Sequence, residues 1–449
     1  MGSRARRALV VALAAVLLLG AGGLAVRHLR ATGCAADVQP VAAPPPVLLD
    51  ARARAGQQDP RRDRLVRAAA AWGPPFGPVL GAVGYDYDQF VHVAGLPGGL
   101  ALWTRDDPTM RFLAAARGGH SLRPRWGVRT LTARSAWDAA AHRFLDIALP
   151  RDRGPALSAL ALSDGHRLWC ARLGERPVGA ADPLATQVLP GGDVAALTPG
   201  SPGEQVLTRL AGADGSVRWR SDVRAGGDFL GGAGAGVLVA GGVPAWRLAD
   251  PGWLARRPAG AALVGVSART GHLRWSWHQP AGTAVHVLGV DPLLGRVVVM
   301  TWGPHGGRLL ALDRDGSPVW SADPFPGYHL DATLRGGRVL VRADDRLAAW
   351  DAATGRRLWQ ESTPSQPQFF PYGFELDSVP SLDARRVLLP TTTALRVLDL
   401  DTGVMSAYPL PRDGVSTTFW PYQVAVSDRL VAVVTNTGTV VLRLDRFPR

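Results

Sequence analysis

The side chains capable of chemistry in this chain are scattered rather than clustered. Its ten histidines contain no His-Glu-x-x-His pair, and His166 and His272 each follow a glycine at positions that read as exposed turns. No Gly-x-Ser-x-Gly elbow and no phosphate-cradling loop occurs. Cys34 and Cys170 stand in unrelated contexts, a Pro/Ala-rich stretch and a Trp-bearing strand, so no disulfide framework is expected and Cys170 reads as a small buried residue rather than a nucleophile. Asp313, Asp351 and Asp399 recur at one position of a repeat, the pattern of local turn hydrogen-bonders rather than of a carboxylate pair. What remains is recognition by aromatic rings. Phe369-Phe370-Pro371-Tyr372 and Phe419-Trp420-Pro421-Tyr422 lie 50 residues apart, with Pro326-Gly327-Tyr328 a reduced version earlier. Rings of this kind join apolar area to a polar handle, so Phe369, Phe370, Tyr372, Phe419, Trp420 and Tyr422 form a candidate surface for a polypeptide or glycan. The same rings would equally serve to fill gaps between packed sheets.

The elements that would position them come from a recurring string. LSALALSDGHRLW (Leu157 to Trp169) returns as LTRLAGADGSVRW, LVGVSARTGHLRW, LLALDRDGSPVW and LAAWDAATGRRLW, the last ending at Trp359. Each copy has alternating apolar residues, a turn glycine and a tryptophan four residues later: Gly165/Trp169, Gly215/Trp219, Gly271/Trp275, Gly316/Trp320 and Gly355/Trp359. Each therefore predicts a β-hairpin whose tight turn needs a positive φ, with a large indole placed in the returning strand. Leu100 to Phe112 is a degenerate copy with Pro108 and Phe112 at the glycine and tryptophan positions, and Leu395 to Ala407 keeps Gly403 without the aromatic.

Successive motif ends lie 39 to 57 residues apart, room for four short strands with their turns. Seven complete units result, and Leu430 to Asp445 begins an eighth that the chain leaves unfinished. A radial array must close to hide its strand edges, so the missing outer strand is expected from the segment before the first unit. Val47 to Ala51 leads, with Leu65 to Ala69 next. The fold expected is all-β, an eight-bladed propeller.

These residues resemble the pyrroloquinoline-quinone-like repeat of eight-bladed β-propellers, the quinoprotein dehydrogenase-like family, whose tryptophan-docking motif reads Ala-x-Asp-x-x-Thr-Gly-x-x-x-Trp. Ala349 to Trp359 matches it at every fixed position, and the resemblance spans roughly Phe76 to Phe447. In that family the indole docks between blades, which implies a structural role for the five Gly/Trp pairs. The family holds quinone-dependent dehydrogenases and many cofactor-free relatives. Its enzymes hold calcium with carboxylate and Asn oxygens and often carry adjacent cysteines over the quinone. This chain has no Cys-Cys pair and a single asparagine, Asn436, in a hairpin turn. A cofactor-free member is therefore expected, with no catalytic, cofactor-binding or metal-binding residue.

Ala8 to Val26 is an uncharged run of 19 residues, about 28 Å long as a helix and so able to span a bilayer once. Arg4, Arg6 and Arg7 precede it and would hold the tail in the cytoplasm, placing the rest outside. A cleavable signal is the rival: Arg6-Arg7 loosely resembles a twin-arginine signal, and Ala31-Thr32-Gly33-Cys34 a lipobox. The organisation expected is a basic tail over 1–7, a transmembrane helix or signal anchor over 8–26, a spacer and closure segment over 27–75, and the propeller over 76–449. Val38 to Pro46 is the extended part of the spacer, and Asp59 to Trp72 a short helix.

All 50 basic residues are arginine, a bias of GC-rich coding. The net charge of +13 is uneven: residues 1 to 67 carry 11 Arg against 4 Asp, or +7, leaving 13 − 7 = +6 for the rest. A juxtamembrane cluster of this sign suits anionic head groups, whereas the dispersed arginines of the propeller lack a nucleic-acid-binding motif. The function expected is a membrane-tethered, extracytoplasmic, non-catalytic binding or scaffold protein for a protein or cell-envelope polymer. A quinoprotein oxidoreductase, or a sensing domain working through a membrane partner, is the alternative.

Overall fold

In this computed structural model the described residues are 48–50, 79–83, 91–104, 109–115, 122–129, 135–138, 142–148, 154–175, 184–201, 204–225, 227, 229–232, 236–243, 260–291, 294–303, 306–323, 330–343, 346–362, 376, 379–391, 394–410, 423–435 and 438–447. Among them the structure is all-β, with no α-helix and a short 3₁₀ turn at Leu444–Arg446. No helix among them is long and apolar enough to cross a membrane, and residues 8–26 and 59–72 lie outside them.

The strands form eight antiparallel sheets, the blades of a propeller. Blade 1 runs Val91–Leu96, Gly99–Thr104, Thr109–Ala115, Leu122–Arg129. Blade 2 follows with Ser135–Asp138, Arg143–Ala148, Ala156–Ala161 and Arg167–Arg172. Blade 3 spans Ala185–Val188 to Val217–Val223, blade 4 Phe229–Gly232 to Leu273–Gln279, blade 5 Ala284–Val290 to Pro318–Ala322, and blade 6 Leu330–Arg335 to Arg357–Ser362. In blades 1 to 6 each strand pairs with the one before it in sequence, an up-and-down meander.

Blade 7 is described only in part. Among the described residues it has three, Arg386–Pro390, Ala394–Asp399 and Met405–Pro409, with Ser381 bridging to Val387 beside the first. Blade 8 holds Gln423–Val426, Leu430–Thr435 and Gly438–Arg443, and its order continues outward to Gly81–Val83 and then Leu48–Asp50. The ring is thus closed by chain that precedes blade 1, but by a different strand from the one expected. Gly81–Val83 pairs with Gly438–Arg443 in the register Ala82↔Val440, while Leu48–Asp50 pairs only with Gly81–Val83. Leu48–Asp50, within the expected Val47 to Ala51, is therefore a fifth strand outside the closing one, and the closing strand falls inside the 76–449 boundary. Three residues reading Gly-Ala-Val are too short to show a period-two pattern, so nothing marked them in advance.

The core lies between blades. Inner-strand and middle-strand residues alternate faces, so each sheet buries both sides against its neighbours. One apolar cluster joins blades 1 and 2 through Phe112, Trp126, Phe144 and Leu160, and equivalent clusters follow around the ring. The last packs Val93, Leu100 and Leu113 of blade 1 on Ala432, Val434 and Val441 of blade 8. That layer closes the circle.

Candidate functional site

The turns are built by their own side chains. The Asp351 carboxylate accepts the amide and hydroxyl of Thr354, both at 2.9 Å, and Gly355 N–H donates back to the Asp351 carbonyl at 2.8 Å. Asp399 repeats the arrangement with Thr402 at 2.9 Å and 2.9 Å. Asp313 accepts the amides of Asp315 and Ser317, and Asp164 the amide and imidazole of His166. Burial would raise the Asp399 carboxyl, but the Thr402 amide and hydroxyl outweigh it and hold the group below the usual carboxylate range. The amide of His166, with its ring, does the same for Asp164. These recurring aspartates are engaged as turn caps.

Each turn then receives an indole from the preceding blade. Trp126 lies on Gly165, Trp169 on Gly215, Trp219 on Gly271, Trp275 on Gly316, Trp320 on Gly355 and Trp359 on Gly403. The six glycines have φ between 69° and 80°, a region costly for any residue with a Cβ, and a Cβ there would also come within 2.6–2.8 Å of the ring. The indole N–H donates to a carbonyl of the same turn: Leu162 at 2.8 Å, Gly212 at 2.8 Å, Ala268 at 3.1 Å, Arg314 at 2.8 Å, Ala352 at 2.9 Å and Leu400 at 2.8 Å. All ten residues of the repeated Gly/Trp pairs are thus found at seams, each tryptophan facing the glycine of the next unit.

Sequence reasoning missed Trp126. It follows Gly119 by seven residues instead of four, and Phe112, expected at the docking position, lies instead in the third strand opposite it, stacked at 5.3 Å. The first unit was expected one strand too early, which also misplaced the closing strand. Arginines at the seams were missed too. Buried Arg143 of blade 2 donates to the carbonyls of Gly192 and Gly212 in blade 3. Arg209 of blade 3 pairs with Asp193 at 2.7 Å and donates to Ala268 in blade 4 at 2.6 Å. The carbonyls of Gly212 and Ala268 therefore each accept an indole and a guanidinium together.

Among the described residues two seams have no docked tryptophan. Between blades 7 and 8, Tyr408 meets Phe447 edge-on at 5.5 Å, and burial pushes its hydroxyl up. Between blades 8 and 1, Gln423 accepts Val93 N–H at 3.2 Å and donates to its carbonyl at 3.1 Å, while Gly98 N–H donates to Asp428 at 2.9 Å. A Cβ on Gly95 would fall on the Val426 carbonyl, so backbone meets backbone there.

Phe369, Phe370, Tyr372, Phe419, Trp420, Tyr422, Tyr328 and Asn436 all lie outside the described residues. Cys170 differs from expectation: it carries a disulfide, not a thiol. The resemblance implies calcium and a quinone in the family's enzymes. Among the described residues no group of three or more His, Cys, Asp or Glu side chains could hold a metal ion, and the recurring aspartates already cap turns, so this donor set does not fit the group.

Eight blades, six of their seams joined by indoles on turn glycines, define a pyrroloquinoline-quinone-like propeller. The chain belongs to the family described as outer membrane protein assembly factor BamB, which matches residues 152–322 and 277–446. Among solved structures it is similar to BamB from Moraxella catarrhalis, at 14% identity and a TM-score of 0.48 over 81% of this chain and 96% of that one. It is also similar to a quinohemoprotein alcohol dehydrogenase from Pseudomonas putida, at 13% identity and a TM-score of 0.49 over 82% and 76% of the two chains. A europium-containing methanol dehydrogenase aligns at 12% identity and a TM-score of 0.43 over 78% and 84%. No curated protein matches the chain.

Proposed function

We propose that this chain is a membrane-tethered, extracytoplasmic propeller that binds a protein partner and carries out no catalysis. The observation that carries the reading is the employment of its recurring polar residues: the repeat aspartates cap turns and the seam arginines bond carbonyls of the next blade, which leaves the repeat a scaffold. Membership of a family described as an assembly factor agrees with a protein ligand. In this reading residues 1–7 are the cytoplasmic tail, 8–26 the anchor, 27–75 the spacer and 76–449 the propeller. The partner meets the aromatic segments Phe369 to Tyr372 and Phe419 to Tyr422.

The test replaces Tyr372, Trp420 and Tyr422 together by Ala and measures partner recovery after crosslinking in intact membranes. Recovery should fall while ellipticity and melting are preserved; unchanged recovery assigns those rings to packing. Protease applied to cells stripped of their wall should digest the propeller, and full protection until the membrane is opened would reverse the topology. Reduction of a dye by the purified chain with calcium, quinone and an alcohol would replace the reading with an oxidoreductase.

A further inference from the structure

We propose that the propeller face carrying the glycine turns lies against an anionic lipid surface, its exposed aliphatic side chains entering the headgroup layer and its arginines meeting lipid phosphates. Among the described residues the exposed large hydrophobic side chains are Leu168, Val217, Leu273, Leu294, Val319 and Val404. One such residue alone needs no explanation. Five of these, however, stand one to three residues after a positive-φ turn glycine: Gly165, Gly215, Gly271, Gly316 and Gly403. Docked indoles join these turns from blade to blade and hold them at one level. Leu294 is in the first turn of blade 5, between Ala284–Val290 and Val297–Gly303, at the same end of the antiparallel meander as the third turn. Arg296 of that turn donates to the Ala353 carbonyl in the glycine turn of blade 6. All six therefore belong to one face.

The charge on this face is cationic along blades 4 to 6. Exposed Arg269, Arg274, Arg356 and Arg357 stand in the same turns or the strand starts that follow them, and none of the four has an ion pair among the described residues. The neighbouring carboxylates are already engaged: Asp313 accepts the Ser317 amide at 2.9 Å, Asp291 accepts the Leu294 amide at 3.1 Å, Asp315 faces Arg314 at 3.8 Å and Asp351 faces Arg338 at 3.2 Å.

Lipid fits this surface better than a protein does. Protein-binding hot spots gather Trp, Tyr and Arg at a packed centre, and Leu and Val are under-represented in them. Here the aliphatic side chains are spread from turn to turn around a ring. A bilayer takes each of them separately at a common depth, while guanidinium groups beside them bond phosphate oxygens. The inference rests on the membrane-tethered reading and adds to it which face the membrane meets.

The full chain is reconstituted into vesicles of phosphatidylcholine and phosphatidylglycerol in equal parts, doped with a lipid bearing a diazirine on its acyl chain, then irradiated and mapped by mass spectrometry. Adducts are expected on the turns around Leu273, Leu294 and Val319 as well as on residues 8–26. Leu273→Ser with Val319→Ser should remove the turn adducts and leave melting unchanged, since both side chains are exposed. Arg274→Gln and Arg356→Gln should each lower the yield about fivefold at low salt. Adducts on 8–26 with none on the turns overturn this inference and leave the tether standing. Adducts on the turns alone remove the tether and keep the face, and adducts on neither overturn both. Turn adducts of equal yield on phosphatidylcholine alone, or crosslinking to a polypeptide from a photoreactive residue placed at position 319 in native membranes, would also overturn the proposal.

Discussion

The six seams from blade 1 to blade 7 and the two that complete the circle solve one packing problem differently. The six repeat a single device, an indole stacked on a positive-φ glycine and bonded to its turn. The other two use an edge-on Tyr408–Phe447 pair and the amide of Gln423 on Val93. An indole buries a large apolar area and fixes its own orientation by its N–H, whereas a side-chain amide contributes mainly direction. The ordinary seams are held by area. The closing seam shares the apolar layer of the others, and register is added to it by the pairing of Gly81–Val83 with Gly438–Arg443 within blade 8.

The sharpest test of that contrast removes the closing strand. Deleting residues 1–83 should leave the Gly438–Arg443 edge unpaired and convert monomer into oligomer or aggregate, read by light scattering; a monomer of unchanged melting would show that the strand is dispensable. Next in size, Trp359→Ala should cost about 3–5 kcal/mol in denaturant unfolding, since the ring is buried and its N–H bonded to Leu400. Gly403→Ala attacks the same seam from its other side and should cost about 1–2 kcal/mol from the positive φ alone, with further loss from the displaced Trp359 ring. At the closing seam Gln423→Leu should cost about 1–2 kcal/mol, for two hydrogen bonds. If it matched Trp359→Ala, the division between area and register would fail.

The smallest effect is on acid stability. Because the folded Asp399 carboxyl is held below its ordinary range, its stabilisation is present above that range and lost as pH falls through the folded value. Asp399→Asn should flatten the fall in melting temperature below about pH 4, the ordinary carboxylate range, while leaving the neutral side of the curve parallel to wild type. An identical acid limb would remove the turn cap from the account.

The propeller was legible in the sequence because a positive-φ turn and a docked indole tolerate few substitutes, so Gly and Trp recur at fixed separation. Where more residues separate them the signal fades, as with the seven positions from Gly119 to Trp126. The closing strand was illegible for another reason: it has three residues, and their partner is remote in sequence. The seam arginines were hidden because their acceptors are backbone carbonyls of the next blade, which carry no mark in the residue string. The candidate aromatic site was read from recurrence alone, and its residues lie outside those the structure describes.

Every docked tryptophan points one way, from the outer strand of one blade to the turn of its successor. The ring therefore has a polarity, each unit offering a plug forward and a socket backward. A whole unit copied or lost by duplication would leave every new junction matched, since the plug of any unit fits the socket of any other. Blade number is then free to drift along the array and is arrested only where the chain before blade 1 must find blade 8, beside the two junctions built from different parts.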